Sequence, residues 1–241
     1  MKKQVPRYLA LALIALGLLS IAPACGGGGE TSTPQGNLFP NPGFEKGRDP
    51  WFSLKPPDFT LAEDVANSGS GSAYLKMRDS TDSPSTKVYY LVQEITPEEF
   101  PEVLSGDYRV DNWRKGTKKQ YLQFVVIAFG AKNLVAVCPD TGICPNYQIR
   151  YILAGIDEEP FEILNAKFVF LSKEDPKQGQ WVHFERNIGD DFRELWGDVP
   201  KGFEKLRILF EVRYDDKAPG EDSIEADAYY DDLYIGPGDS K

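Results

Sequence analysis

Beyond residue 36 the chain is cut into short apolar and aromatic runs by clusters of Gly, Pro, Asn and Asp, and no run is long enough to build a helical domain. The runs are rich in Val, Ile, Phe and Tyr, the side chains that suit a pleated, half-buried surface. They predict strands over Phe59–Ala62, Ala73–Met77, Lys87–Ile95, Tyr108–Trp113, Tyr121–Phe129, Gln148–Ala154, Ala166–Leu171, Gln180–Ile188, Leu206–Tyr214 and Ala226–Ile235. Alternation is plainest in the later runs. Leu206, Ile208, Phe210 and Val212 face one way and Arg207, Glu211 and Arg213 the other; Val182, Phe184 and Ile188 likewise oppose Trp181, His183 and Glu185. A period of two with one apolar side describes a sheet with a core face and a wet face. Short helical pieces are predicted only over Pro97–Leu104, with its Glu98-Glu99 start, and over Asp190–Trp196. There is no strand–helix–strand rhythm and no internal repeat. The expected fold is therefore all-β, most simply a two-sheet β-sandwich or jelly roll.

Composition removes several function classes. At 241 residues and 41% hydrophobic content the chain can build one globular core and is not disordered. Its 27 Lys and Arg face 37 Asp and Glu, a net charge of −10, which argues against counterion-driven binding to nucleic acid. One His and three Cys give poor support to zinc or His-based metal centres.

The N-terminus reads as an export signal. A basic start, Met1-Lys2-Lys3-Gln4-Val5-Pro6-Arg7, precedes an apolar run from Tyr8 to Ala22 that falls short of the ~20 residues needed to span a bilayer. The run ends in Ala22-Pro23-Ala24-Cys25, followed by Gly26 to Gly29. This resembles the bacterial lipobox, whose Cys is lipidated, with palmitate implied, and becomes residue one. Ala22 and Pro23 depart from the usual lipobox residues, and Ala22-x-Ala24 also suits an ordinary signal peptidase; both would cut before Cys25. Residues 1–24 are thus expected to be a lipoprotein signal peptide, 25–36 a flexible tether of Gly, Ser, Thr and Pro, and 37–241 the folded domain. The implied location is a bacterial cell envelope, at the outer membrane or cell surface.

Cys138 and Cys144 lie in Cys-Pro-Asp-Thr-Gly-Ile-Cys, where Pro139-Asp140-Thr141-Gly142 supplies a reversal. They read as a disulfide, whose short loop is worth about 2 kcal/mol in an exported protein; two unbridged buried thiols are the alternative. The spacing is not the Cys-x-x-Cys that lowers a thiol pKa. A disulfide leaves Cys25 unpaired, which lipidation accounts for.

The domain opens with Asn37-Leu38-Phe39-Pro40-Asn41-Pro42-Gly43-Phe44-Glu45, reaches Trp51, and continues to Ser68-Gly69-Ser70-Gly71-Ser72-Ala73-Tyr74-Leu75-Lys76. Gly106-Asp107-Tyr108, Gln180-Trp181-Val182 and the closing Tyr229-Tyr230-Asp231-Asp232-Leu233-Tyr234-Ile235 follow in order. Over residues 37 to about 237 this set resembles carbohydrate-binding modules of the family 4, 9 and 22 type, which are galactose-binding-like jelly rolls. The chain is longer than such a module, with the extra length expected between Gly130 and Lys173. The resemblance implies carbohydrate as the partner and a structural calcium. Carried over by position, its ligands would be the Gly43 carbonyl, the Glu45 carboxylate, the Lys76 carbonyl and Asp231, all the oxygen donors a hard cation takes. Read without it, Glu45 and Asp231 cap turns or pair with Lys46 or Arg48.

Sugar binding needs exposed aromatic platforms beside groups that bond hydroxyls. Trp181 projects opposite Val182 and Phe184, Trp113 shares strand parity with Arg109 and Asp111, and Tyr121 shares it with Gln123; these three are the candidate ligand-binding residues, and most sandwich aromatics are otherwise core or edge fillers. His183 lies on the face of Trp181. The acidic pairs Asp190-Asp191 and Asp215-Asp216 and the run Asp157-Glu158-Glu159 read as solvated loops. An enzyme is poorly supported: Ser68 to Ser72 does not match Gly-x-Ser-x-Gly, and His183 is the one imidazole. The expectation is a non-catalytic, lipid-anchored carbohydrate binder. A structural or protein-docking envelope lipoprotein is the alternative.

Overall fold

The computed structural model describes residues 35–116, 119–136, 138, 142, 144–221 and 223–238. The leader, Cys25 and most of the tether lie outside them. The elements are β1 (Thr60–Ala62), β2 (Ser72–Arg78), β3 (Lys87–Ile95), β4 (Val103–Arg114), β5 (Lys119–Phe129), β6 (Asn146–Ala154), β7 (Ala166–Phe170), β8 (Trp181–Asn187), α1 (Ile188–Trp196), β9 (Lys205–Asp215) and β10 (Glu225–Gly236). They form two five-stranded sheets, ordered β1-β2-β10-β4-β8 and β3-β9-β5-β6-β7. Every pairing is antiparallel except β6 with β7. This is the two-sheet sandwich that the patterning predicts, of the jelly-roll kind that the resemblance implies, and all ten expected strands are present.

Between the sheets lies an aromatic core. Leu206, Ile208, Phe210, Val212 and Tyr214 of β9 are wholly buried, as the period of two requires. Phe210 sits within about a ring's width of Phe39, Trp51, Phe124, Phe184 and Tyr230, with centroids 5.3–6.3 Å apart. Phe44 enters this core at 2% exposure. The N-terminal segment is fastened to the last strand: Leu38 N–H donates to the Ile235 carbonyl, Asn37 Nδ2 donates to Leu233 O, and Ile235 N–H donates back to Asn37 Oδ1. The chain thus enters and leaves the domain at one end. Cys138 and Cys144 are bonded, with Cα atoms 5.0 Å apart.

α1 follows β8 without a loop. Asn187 caps it by accepting from Asp190 N–H at 2.9 Å, Asp190 and Asp191 occupy the first turn, and Gly197 closes it in the left-handed conformation. The helix expected over Pro97–Leu104 does not form. Pro101 inside that stretch has no N–H to give and clashes with the preceding turn, and Phe100 packs instead against Phe192 at 4.8 Å while β4 begins at Val103. The solvated-loop reading fails for two acids. Asp191 is buried and takes two bonds from Arg186, at 2.6 and 2.7 Å, and Asp215 is buried under Arg213 and the Tyr121 hydroxyl.

Candidate functional site

The outward side chains of the first sheet converge on one groove. Register places Asp107 opposite His183, Ser105 opposite Glu185 and Arg109 opposite Trp181 between β4 and β8, and Asp231 opposite Asp107 and Tyr234 opposite Ser105 between β10 and β4. The inward partners Leu104, Tyr108 and Val110 are buried in the core. Gly106 makes the close packing possible, because a Cβ there would come within 2.5 Å of Leu233 and 3.1 Å of Phe184. A break in the β10–β4 register between Asp231 and Tyr234, with Asp232 at φ 50°, turns Asp232 outward as well. The result is an open groove of about 740 Å³ lined by Ser105, Asp107, His183, Glu185, Asn187, Asp232 and Tyr234, with Val103, Pro237 and Gly238 at one end.

Its polar groups are held at fixed angles. His183 Nδ1 lies 3.3 Å from Asp107 Oδ2, and burial pushes the Asp107 carboxyl above its ordinary pKa despite that bond. Asp232 accepts from Ser68 Oγ at 2.5 Å and Asn67 Nδ2 at 2.9 Å. The Tyr234 hydroxyl donates to the Pro237 carbonyl. Glu185 is exposed and bonds to no described side chain. Along β8, two residues beyond His183, Trp181 stands half-buried on the same face. Beside it Arg109 is clamped on Asp111 through Nε and Nη2 at 3.0–3.2 Å, and Tyr74 and Tyr229 stack with centroids 4.8 Å apart. Carboxylates, a hydroxyl and an imidazole that can meet hydroxyl groups, in line with an indole face, are the components a sugar-binding surface uses.

The three candidate aromatics are not brought together. Trp181 lies on this face. Tyr121 lies on the opposite side of the sandwich, wholly buried with Ile152 and Ile156, and its hydroxyl donates to Asp215 Oδ2 at 2.7 Å, so it offers no platform. Trp113 is turned from the parity of Arg109 and Asp111 by Asn112, which sits at φ 52° beside a register break; its ring packs on the core and its Nε1 is buried without a bond among the described residues.

The second sheet's outer face was expected to be wet and is covered. Glu211 is 2% and Arg213 8% exposed, and Gln123 is wholly buried beside them. Phe161, from the segment after β6, lies over the Arg150 and Arg213 guanidiniums at 5.2 and 5.1 Å. Phe52 bridges to Val92 on the other flank. Burial lowers the Arg150 pKa, and its Nη1 and the Gln123 Oε1 make no hydrogen bond among the described residues. The alternation that exposed these charges in the sequence carried no record of the segments that fold over them.

The four residues carried over as calcium ligands fall in two places. Glu45 and Asp231 both bond the loop from Asn67 to Gly71 and Gly43 lies against Asp231, whereas Lys76 pairs with Asp227, four residues along β10 from Asp231. The strand position level with Asp231 belongs to Ser72, next to the Ala73–Tyr230 pair. Both carboxylates are already engaged by the protein. Glu45 accepts from Ser70 N–H, Ser70 Oγ and Gly71 N–H at 2.6–3.3 Å, and these bonds outweigh burial to hold its pKa low. Asp231 accepts from the N–H groups of Asn67, Ser68 and Asp232, yet burial pushes its carboxyl up to about 7. Among the described residues no group of three or more His, Cys, Asp or Glu is placed to hold a metal ion. The four do not assemble as one coordination shell.

No protein-family model matches the chain, and no curated protein matches it. Solved structures do. A family 61 carbohydrate-binding module in complex with β-1,4-galactotriose is 11% identical with a TM-score of 0.43, covering 83% of this chain and 97% of its own. A xylan-binding family 22 domain is 13% identical with a TM-score of 0.45, covering 84% and 95%. The enzymatically active domain of tailspike protein 4 from bacteriophage CBA120 is 14% identical with a TM-score of 0.43, covering 83% of this chain and 21% of its own.

Proposed function

We propose that the chain is a non-catalytic glycan-binding protein that holds polysaccharide in the groove of β4, β8 and β10, and that it is fixed to a bacterial envelope by a lipid on Cys25. The observation that carries the binding reading is the groove itself: it is open, lined by hydroxyl-binding groups, and continued along β8 by Trp181. The covered second face offers no comparable opening to its Gln123, Glu211 and Arg213. The anchor is supported by the lipobox-like Ala22-Pro23-Ala24-Cys25 and by the Cys138–Cys144 bond, which leaves Cys25 as the odd cysteine.

The test is a glycan and polysaccharide array probed with the soluble domain from Gln35 onward, in parallel calcium and chelator buffers. Binding is expected, with no shortening of the bound glycan, and Trp181→Ala weakens it about tenfold or more, as loss of a central aromatic anchor does. Silence across the array from a folded domain would sink the reading. One observation then favours docking on a protein. Ile163 and Leu164 are 39% and 59% exposed beside β7, whose outer edge pairs with no described strand.

A further inference from the structure

The groove has a one-sided charge. Three carboxylates line it, Asp107 on β4, Glu185 on β8 and Asp232 after the register break in β10, and no Lys or Arg does. The guanidiniums around it are each spent on another acid. Arg109 is clamped by Asp111, Arg186 by Asp191 at 2.6 Å, and Arg193 by Glu102 and Asp190 at 2.6 and 2.9 Å. The one cation the groove could supply is His183, already bonded to Asp107 and 60% exposed in its side chain.

The three acids stand on adjacent strands but not level: Asp107 faces His183 and Glu185 faces Ser105, so Glu185 lies diagonal to Asp107, about 7–8 Å away, and Asp232 flanks them from the register break in β10. Ionised carboxylates accept hydrogen bonds and donate none. A wall of this kind is answered best by a ligand rich in donors. A protonated amine supplies three N–H donors and a balancing charge. An acetamido group supplies one N–H and no charge, and a uronate brings a like charge into a partly desolvated site.

We propose that this groove, taken as the glycan site of the preceding section, selects sugar chains that carry protonated amines over their N-acetylated counterparts and excludes uronate chains. Glu185 contributes most to the choice, because no described side chain bonds it, while Asp107 and Asp232 are already shared with His183, Ser68 and Asn67.

Three probes of matched length separate the cases: a β-1,4-linked glucosamine oligosaccharide, its fully N-acetylated form, and an oligogalacturonate. Each is titrated calorimetrically into the soluble domain at a mildly acidic pH that keeps the amines charged. The amine form is expected to bind about tenfold more tightly than the acetylated form, the size that two or three partly exposed ion pairs give, and the uronate not measurably. High salt brings the ratio toward one. Glu185→Gln narrows the ratio, and Glu162→Gln, on the segment before β7, does not. Equal binding of amine and acetylated forms, with Glu185→Gln leaving their ratio untouched, overturns the charge selection and leaves the glycan reading standing. Uronate binding as tight as amine binding does the same. Absence of binding by all three probes and by the wider array, from a folded domain, overturns the glycan reading and this inference with it.

Discussion

Lys217 and Asp79 form an ion pair that should reveal how the two sheets are joined. Their side chains are 1% and 0% exposed, and Nζ lies 2.6 Å from the carboxylate. Asp79 follows β2 in one sheet. Tyr214 of β9, in the other, donates its hydroxyl to the same carboxylate at 3.0 Å, and Lys217 also donates to the Ser80 carbonyl. Replacing Lys217 by Met keeps the stem and removes the charge, leaving a buried carboxylate with only the Tyr214 and Ser83 hydroxyls to bond it. Breaking such a pair from one side costs about 3–5 kcal/mol, because the remaining charge is stranded in a low-dielectric site. Adding Asp79→Asn removes the stranded charge while keeping an acceptor for Tyr214, and should return the protein to within about 2 kcal/mol of native. The assay is urea denaturation followed by tryptophan fluorescence, reading the midpoint at constant slope; Trp51, 3% exposed in the core, is the reporter.

The pH dependence fixes the sign. Burial alone would raise the Asp79 pKa, but bonds from Lys217, Ser83 and Tyr214 hold it below its ordinary value. The stabilisation is therefore present above the unfolded carboxylate pKa and is lost as pH falls through the folded one. In Lys217→Met the balance reverses, and Asp79 binds a proton more readily folded than unfolded. The gap between native and variant should shrink in acid. A cost below about 1 kcal/mol at neutral pH, a double variant no better than the single, or a gap that does not change with pH would each refute the argument.

Gly106→Ala drives a methyl into Leu233 and Phe184 beneath the groove and should cost about 1–3 kcal/mol of stability, with weaker glycan binding in the fraction that still folds; an unperturbed melting curve contradicts the packing argument. Because burial raises the Asp231 carboxyl to about 7, native stability falls as pH rises from the ordinary carboxylate pKa through 7, and Asp231→Asn should flatten that slope and match or exceed native stability above it. The same melts should show no calcium-dependent rise; a rise in the native protein that the Asn variant lacks would restore Asp231 as a ligand. Replacing Cys138 and Cys144 together by Ala should lower stability by about 2 kcal/mol, checked by denaturation with and without reductant, and no change would mean that the loop constrains the unfolded chain very little.

The strands were legible because each depends on its own residues. A period of two over Leu206–Val212 needs no knowledge of the rest of the chain, and neither does the capped acidic start of α1. The failures have local causes too. Asn112 and Asp232 sit at positive φ beside register breaks, and each breaks the parity argument at its position: it turns Trp113 into the core and Asp232 into the groove. An Asn or Asp tolerates that conformation without announcing it. The Pro97–Leu104 helix fails on a signal that the sequence carries, since Pro101 forbids it and outweighs the favourable Glu98-Glu99 start.

The site was legible by strand and not by cross-strand neighbour. The alternation of β8 puts Trp181, His183 and Glu185 on one face, and the sequence shows that. Which acids meet them depends on β4 and β10, about 75 residues earlier and 50 later, and on a pairing in which the closing strand lies inside the sheet and β8 at its edge. The second face shows the same limit from the other side. Glu211 and Arg213 read as wet because charged residues on a sheet usually are; only the placement of Phe161, about 50 residues away, shows that they are covered. Had β8 lain inside the sheet and β10 at its edge, the same outward residues would not have lined this groove. The residues that line the groove are therefore set by strand order, which short-range pattern does not encode, while the strands themselves are set by pattern alone.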